Sequence, residues 1–134
     1  MTDSTKHEVA TIFHVQPSWS VFVLDDTEDR ISWFRSRLPN MRHARTCQEA
    51  LDILSTEAFD LVFLDHDLSW IDAGFPHRQH DNGKEVARYL ARTGFPGLVV
   101  IHSRSDQAEV MAKILPQAKI ARFGEFEIIT NRVE

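Results

Sequence analysis

The chain has a single cysteine, Cys47, among its 134 residues. No internal disulfide can staple it, which suits a reducing compartment. No apolar run approaches the roughly 18 residues that span a bilayer, and the polar start M-T-D-S-T-K lacks the apolar core of a signal peptide. Both absences lead us to expect a cytoplasmic protein. Basic charge is not in excess either: 15 Lys and Arg against 20 Asp and Glu give a net charge of −5. That balance opposes a broad nucleic-acid surface but leaves room for a local phosphate contact. Internal repeats and low-complexity tracts are also missing. What is present, 43% apolar and 26% charged residues, is the composition of an ordinary globular domain.

Three short apolar runs organise the rest, and each ends abruptly in polar residues. Val21 to Leu24 stops at Asp25 and Asp26; Leu61 to Leu64 runs straight into Asp65, His66 and Asp67; Leu98 to Ile101 stops at His102 and Ser103. Runs this short, without alternation, fit strands covered on both faces of a parallel sheet. Helical patterns lie between and after them. Ile31, Phe34 and Leu38 follow a Thr27 cap, and Leu51, Leu54 and Ala58 follow a capping box of Thr46 and Glu49. Val86, Tyr89 and Leu90 lie between Gly83 and Gly94, and Val110, Met111, Ile114 and Leu115 precede Pro116. Weaker strands are expected over 41–45 and 118–122. This alternation predicts one α/β domain over residues 20–134, a three-layer sandwich around a doubly wound, five-stranded parallel sheet of order 2-1-3-4-5. Residues 1–19 read as an N-terminal arm, in which 9–15 is either an additional strand or a mobile segment laid against the body. The residues after 122 leave room for a truncated last helix.

In such a sheet the ends of the first and third strands lie side by side, and ligands collect at the carboxyl ends. Asp25, Asp26 and Asp65 would then converge. Three carboxylates in close range repel one another unless a cation intervenes, so the pattern predicts a hard divalent ion, Mg2+ or Mn2+. His66 and His102 are the groups at the strand ends that titrate near neutrality, one able to take a proton while the other gives one. As metal ligands instead, they would favour manganese or zinc. Arg104 would grip a phosphate by a two-pronged contact and Ser103 would donate to an oxygen. This set suits the opening of a cyclic phosphodiester, in which non-bridging oxygens are held, water is activated and the leaving oxygen is protonated. His77 and His80 fall in F-P-H-R-Q-H-D-N, which reads as a solvated loop.

Asp25 with Asp26, Asp65, Gly83 and Ser103 together resemble the receiver domain of bacterial response regulators over about residues 20–122. The resemblance implies a flavodoxin-like, receiver-like fold and magnesium held by the acidic pair, by Asp65 and by the backbone carbonyl of Asp67. It also implies Asp65 as acceptor of a phosphoryl group from a histidine kinase, and Ser103 as the hydroxyl that responds to it. The lysine that ordinary receivers carry at the end of the fifth strand has no clear counterpart in A-K-I-A-R-F-G, where Lys119 and Arg122 are the nearest cations. Instead D-H-D-L at 65–68 and I-H-S-R-S at 101–105 look like the cyclic-phosphate processing receiver domain group, with Met111 in the following helix and Ser105 where that group has asparagine. That resemblance implies metal-assisted processing of a cyclic phosphate in a nucleotide or at an RNA end, with Asp65, His66, His102 and Ser103 at the reaction centre. Two other classes stay open: a phosphoacceptor in a signalling relay, and a receiver-like interaction module without turnover.

Overall fold

The computed structural model describes residues 11–65, 83–103 and 107–130. Along them run β1 (Thr11–Val15), β2 (Val21–Leu24), α1 (Glu28–Arg37), β3 (Arg42–Ala44), α2 (Cys47–Leu54), β4 (Leu61–Leu64), α3 (Lys84–Thr93), β5 (Leu98–Ile101), α4 (Gln107–Ile114), β6 (Lys119–Ile120) and β7 (Phe126–Thr130). Five of these strands form an all-parallel sheet in the order β3-β2-β4-β5-β6. This is the expected 2-1-3-4-5 order of a flavodoxin-like, receiver-like α/β fold.

β2 and β4 are buried at every residue because successive side chains leave on opposite faces and both faces are covered. Phe22, Leu24, Val62, Leu64, Val99 and Ile101 pack with Ala50 of α2, Val86 and Leu90 of α3 and Met111 of α4. Val21, Val23, Leu61, Phe63 and Val100 pack on the other side with Phe34 of α1. Two of the helix-end signals act as written: the Thr46 hydroxyl accepts the Glu49 N–H at 3.1 Å, and Gly94 closes α3 in the left-handed conformation; Thr27 takes the N-cap position of α1 without a side-chain bond to the helix. Two inward expectations fail. Val110 is exposed, because Ala108, Met111 and Leu115 fill the inner stripe around α4. Ala58 lies beyond the end of α2 and is exposed as well.

The layer that contains α1 is completed by strands. The tail, which left room for a truncated last helix, contains β7, where Phe126 and Ile128 turn inward and Ile129 outward, the period of a strand with one buried face. β7 pairs in parallel with β1, from Thr11 opposite Phe126 to Val15 opposite Thr130. Thus, of the two readings open for 9–15, the additional strand is the one observed, over Thr11–Val15, and its Phe13 and Val15 join the α1-side cluster. Phe63 and Phe126 stack with centroids 5.9 Å apart. Polar contacts tie α1 to the same strand: Arg37 Nη2 donates to Glu127 Oε2 at 3.1 Å, and the Thr130 hydroxyl donates to the Arg37 carbonyl at 3.1 Å. Among the described residues no helix is long and apolar enough to cross a membrane.

Gly83 connects this packing to the strand ends. A Cβ there would lie 2.2 Å from the Asp65 carbonyl oxygen and 2.9 Å from Met111 Cε. The first of these is backbone and cannot swing away. We expect Gly83→Ala to destabilise the domain by about 1–3 kcal/mol, measured by urea unfolding; an unchanged midpoint would show that α3 and the end of β4 can separate freely.

Candidate functional site

Parallel pairing puts the ends of β2, β4 and β5 in one row, so Asp25, Asp65 and His102 each follow the last residue of a central strand. Their backbone continues the ladder: Asp65 N–H donates to the Leu24 carbonyl at 3.1 Å and His102 N–H to the Leu64 carbonyl at 2.9 Å. All three are buried. Each offers a ligand atom, and these atoms lie within 4.8 Å of one another. The topology therefore gathers side chains from positions 25, 65 and 102 of the sequence into one cup.

Asp25 is the most connected member. His102 Nε2 lies 2.7 Å from Asp25 Oδ2, with both side chains fully buried. A carboxylate only accepts, so the hydrogen of this bond sits on Nε2. The Thr27 N–H donates to Asp25 Oδ1 at 2.9 Å. Burial works against the charge on Asp25, yet the His102 bond and charge, the Thr27 N–H and Arg30 outweigh it and hold the carboxyl below its usual range. The far side of His102 is different. Its Nδ1 is buried without a hydrogen-bond partner, and the ring packs edge-on against Phe34 at 5.1 Å and near Phe63 at 6.3 Å. An imidazole that ligates a metal through one nitrogen normally donates the N–H of the other to a carboxylate or carbonyl; ligation through Nε2 would leave Nδ1 without that support.

The cation that holds the cup is Arg30, which sequence reading passed over. It rises from the first turn of α1; Nε lies 3.0 Å from Asp25 Oδ2 and Nη2 lies 3.2 Å from Asp65 Oδ2. Nη2 also donates to the Thr27 hydroxyl at 2.8 Å, so Thr27 stands at the N-cap position while its side chain serves Arg30 instead of the helix. The available signal was the spacing D-D-T-E-D-R, which returns a first-turn side chain over the strand end. Lys119 and Arg122, weighed as substitutes for the receiver lysine, are elsewhere: Lys119 opens β6 and Arg122 Nη2 pairs with Glu109 at 2.8 Å.

Of the other expected site residues, Asp26 is half-buried beside the cup, and its charge adds to that of Asp25 in raising Asp65. Ser103 is buried at the end of β5. His66, Asp67, Arg104, Ser105, His77 and His80 lie outside the described residues. Two buried carboxylates, a third beside them and one guanidinium leave an excess of negative charge, a donor set that fits a hard divalent ion held by Asp25 and Asp65.

Burial, reinforced by Asp25 and Asp26 and opposed by His102 and Arg30, pushes the Asp65 carboxyl up from 3.8 to about 6. An acid whose folded value is raised favours the native state while protonated, and that contribution is lost as pH rises through the folded value. Without divalent ions, stability contributed by Asp65 should therefore fall between pH 4 and 7. Asp65→Asn should abolish the fall and be up to roughly 3 kcal/mol more stable than the parent at pH 7.5. Urea unfolding across that range in EDTA checks it, and identical pH profiles for the two proteins would contradict it.

The fold has counterparts among known proteins. The receiver domain of the Francisella response regulator 1452 is similar at 16% identity and a TM-score of 0.57, covering 83% of this chain and 84% of that one. The response regulator TrrA of Thermotoga maritima, solved in complex with Mg2+-BeF, is similar at 16% identity and a TM-score of 0.58, covering 81% and 88%. The signal receiver domain of a putative Luxo repressor from Vibrio parahaemolyticus gives 13% identity and 0.55, covering 87% and 80%. At these identities the likeness is one of fold. No curated protein matches. The model of the cyclic-phosphate processing receiver domain matches residues 20–116, a stretch that holds Asp25, Arg30, Asp65 and His102, and the chain belongs to that family.

Proposed function

We propose that the protein opens or hydrolyses a cyclic phosphate, in a nucleotide or at an RNA end, with the help of Mg2+ or Mn2+ held by Asp25 and Asp65. The observation that carries this reading is the buried triad itself. A strand-end histidine is bonded to one carboxylate, a second carboxylate is poised near neutrality, and an arginine stands between them, in a chain of the cyclic-phosphate processing family. Bound there, the ion would neutralise the non-bridging phosphate oxygens.

The chain's own residues divide the remaining work. His102 has no exposed surface and acts through Asp25, fixing the carboxylate's orientation, so we assign it as a positioning residue. Ser103 and Arg104 follow it in sequence and would hold phosphate oxygens, and Asp26 and the Asp67 backbone carbonyl would complete the ion's protein ligands. Water attacks phosphorus as one ring P–O bond breaks; its proton passes to a base, and the freed oxygen takes a proton from an acid. His66, next to Asp65 in sequence, is the candidate for that exchange. The setting would be cytoplasmic, with residues 20–134 as the receiver-like domain onto which the preceding segment packs through β1.

A second reading has its own support. Asp65 ends the third strand of the main sheet, and TrrA, with a similar fold, was captured with Mg2+-BeF. That supports a phosphoacceptor role for Asp65 with a histidine kinase as donor. Incubation with a 2′,3′-cyclic nucleotide and Mg2+ or Mn2+, alongside acetyl phosphate, separates the two. We expect metal-dependent ring opening that drops roughly 10–100-fold in His102→Ala and recovers in part in His102→Gln, whose amide can still donate to Asp25. Absence of turnover together with a phosphoryl adduct lost in Asp65→Asn would instead establish the relay.

A further inference from the structure

We propose that Arg30 is the resident counter-ion of the carboxylate cup, and that a divalent cation binds there in competition with it. The inference rests on the reading that Asp25 and Asp65 hold such an ion. It is independent of whether the chain turns over a cyclic phosphate or accepts a phosphoryl group.

The guanidinium contacts Asp25 Oδ2 through Nε at 3.0 Å and Asp65 Oδ2 through Nη2 at 3.2 Å. Any cation shared by the two carboxylates must draw on their facing oxygens. Magnesium demands oxygen at about 2.0–2.1 Å in near-octahedral geometry, so it cannot share those lone pairs with two N–H donors. Like charges at this range also repel. His102 cannot give way in place of the arginine, because its ring is fully buried between Phe34 and Phe63. Arg30 can.

Three features equip it to leave without being lost. Its side chain is 20% exposed, whereas those of both aspartates are almost wholly buried, so it is the member of the cup in contact with water. The Thr27 hydroxyl accepts from Nη2 at 2.8 Å, a contact that needs neither carboxylate. The Phe123 ring lies beneath the guanidinium at 5.7 Å, a second resting place for a cation. Displaced to this rim, Arg30 keeps a planar fork free to meet phosphate oxygens in pairs. One side chain would thus satisfy buried charge in the ion-free protein and bind phosphate in the loaded one.

The test measures Mg2+ and Mn2+ affinity by calorimetry for the parent, Arg30→Met and Arg30→Lys, with melting temperatures in EDTA and in divalent ion. The Arg30 Nε–H resonance is followed in the parent during the same titration. Competition predicts that Arg30→Met binds on the order of tenfold tighter or more, that its melting temperature rises more on adding the ion, and that the parent's Nε–H signal moves with the binding midpoint. Equal or weaker binding by Arg30→Met, with an unmoved Arg30 signal, overturns the proposal while the cup remains a cation site. No binding by either protein overturns both. If Arg30→Met folds under neither condition, the parent's signal decides: movement supports displacement and stillness refutes it.

Discussion

Two ionised carboxylates buried at neighbouring strand ends are the constraint to which the rest of this molecule answers. Burying one such charge alone costs several kcal/mol, and the parallel sheet obliges the chain to bury two. Three side chains and a backbone N–H act against that cost, while the Asp26 charge adds to it. His102 reaches Asp25 from β5, Arg30 reaches both aspartates from α1, and Thr27 gives Asp25 its backbone N–H and Arg30 its hydroxyl. The compensation is uneven. Asp25 has three partners and is held ionised, whereas among the described residues the Asp65 side chain is bonded by the far arm of one guanidinium and is held near half-protonation at pH about 6. That inequality gives two chemically identical side chains different tasks.

The main sheet could be read from the chain because its signals are local. Val21–Leu24, Leu61–Leu64 and Leu98–Ile101 are unbroken apolar runs, and helix caps punctuate the segments between them, so the alternation, and from it the strand order, follows. The adjacency of Asp25, Asp65 and His102 then comes from topology, as each directly follows a central strand. Arg30 was illegible for the opposite reason. A charged residue in the first turn of a helix reads as solvated surface, and only the angle between α1 and β2 turns it back over the cup. Val110 misled because periodicity marks a face but does not say which stripe of it meets the sheet.

The pairing of β1 with β7 was illegible in a deeper sense, although 9–15 was open to a strand reading. Neither carries a strong pattern alone, and their pairing joins Thr11 to Phe126, a partnership that no window of sequence contains. The outcome is nonetheless reasonable. Phe34 and Phe63 present aromatic surface on the α1 side that must be covered, and Phe13, Phe126 and Ile128 cover it through strands where the tail left room for a last helix. The exposed Ile12 and Ile129 show how thin that cover is.

Covering one face with two strands from opposite regions of the chain also orders events in time. The ladder between them closes a loop of more than 100 residues, and such a closure becomes favourable only after the intervening sheet has collapsed and brought its ends together. The aromatic face of α1 therefore waits, uncovered, until assembly is nearly complete. A ribosome releasing this chain would emit a sheet whose last layer cannot form before Thr130 has emerged.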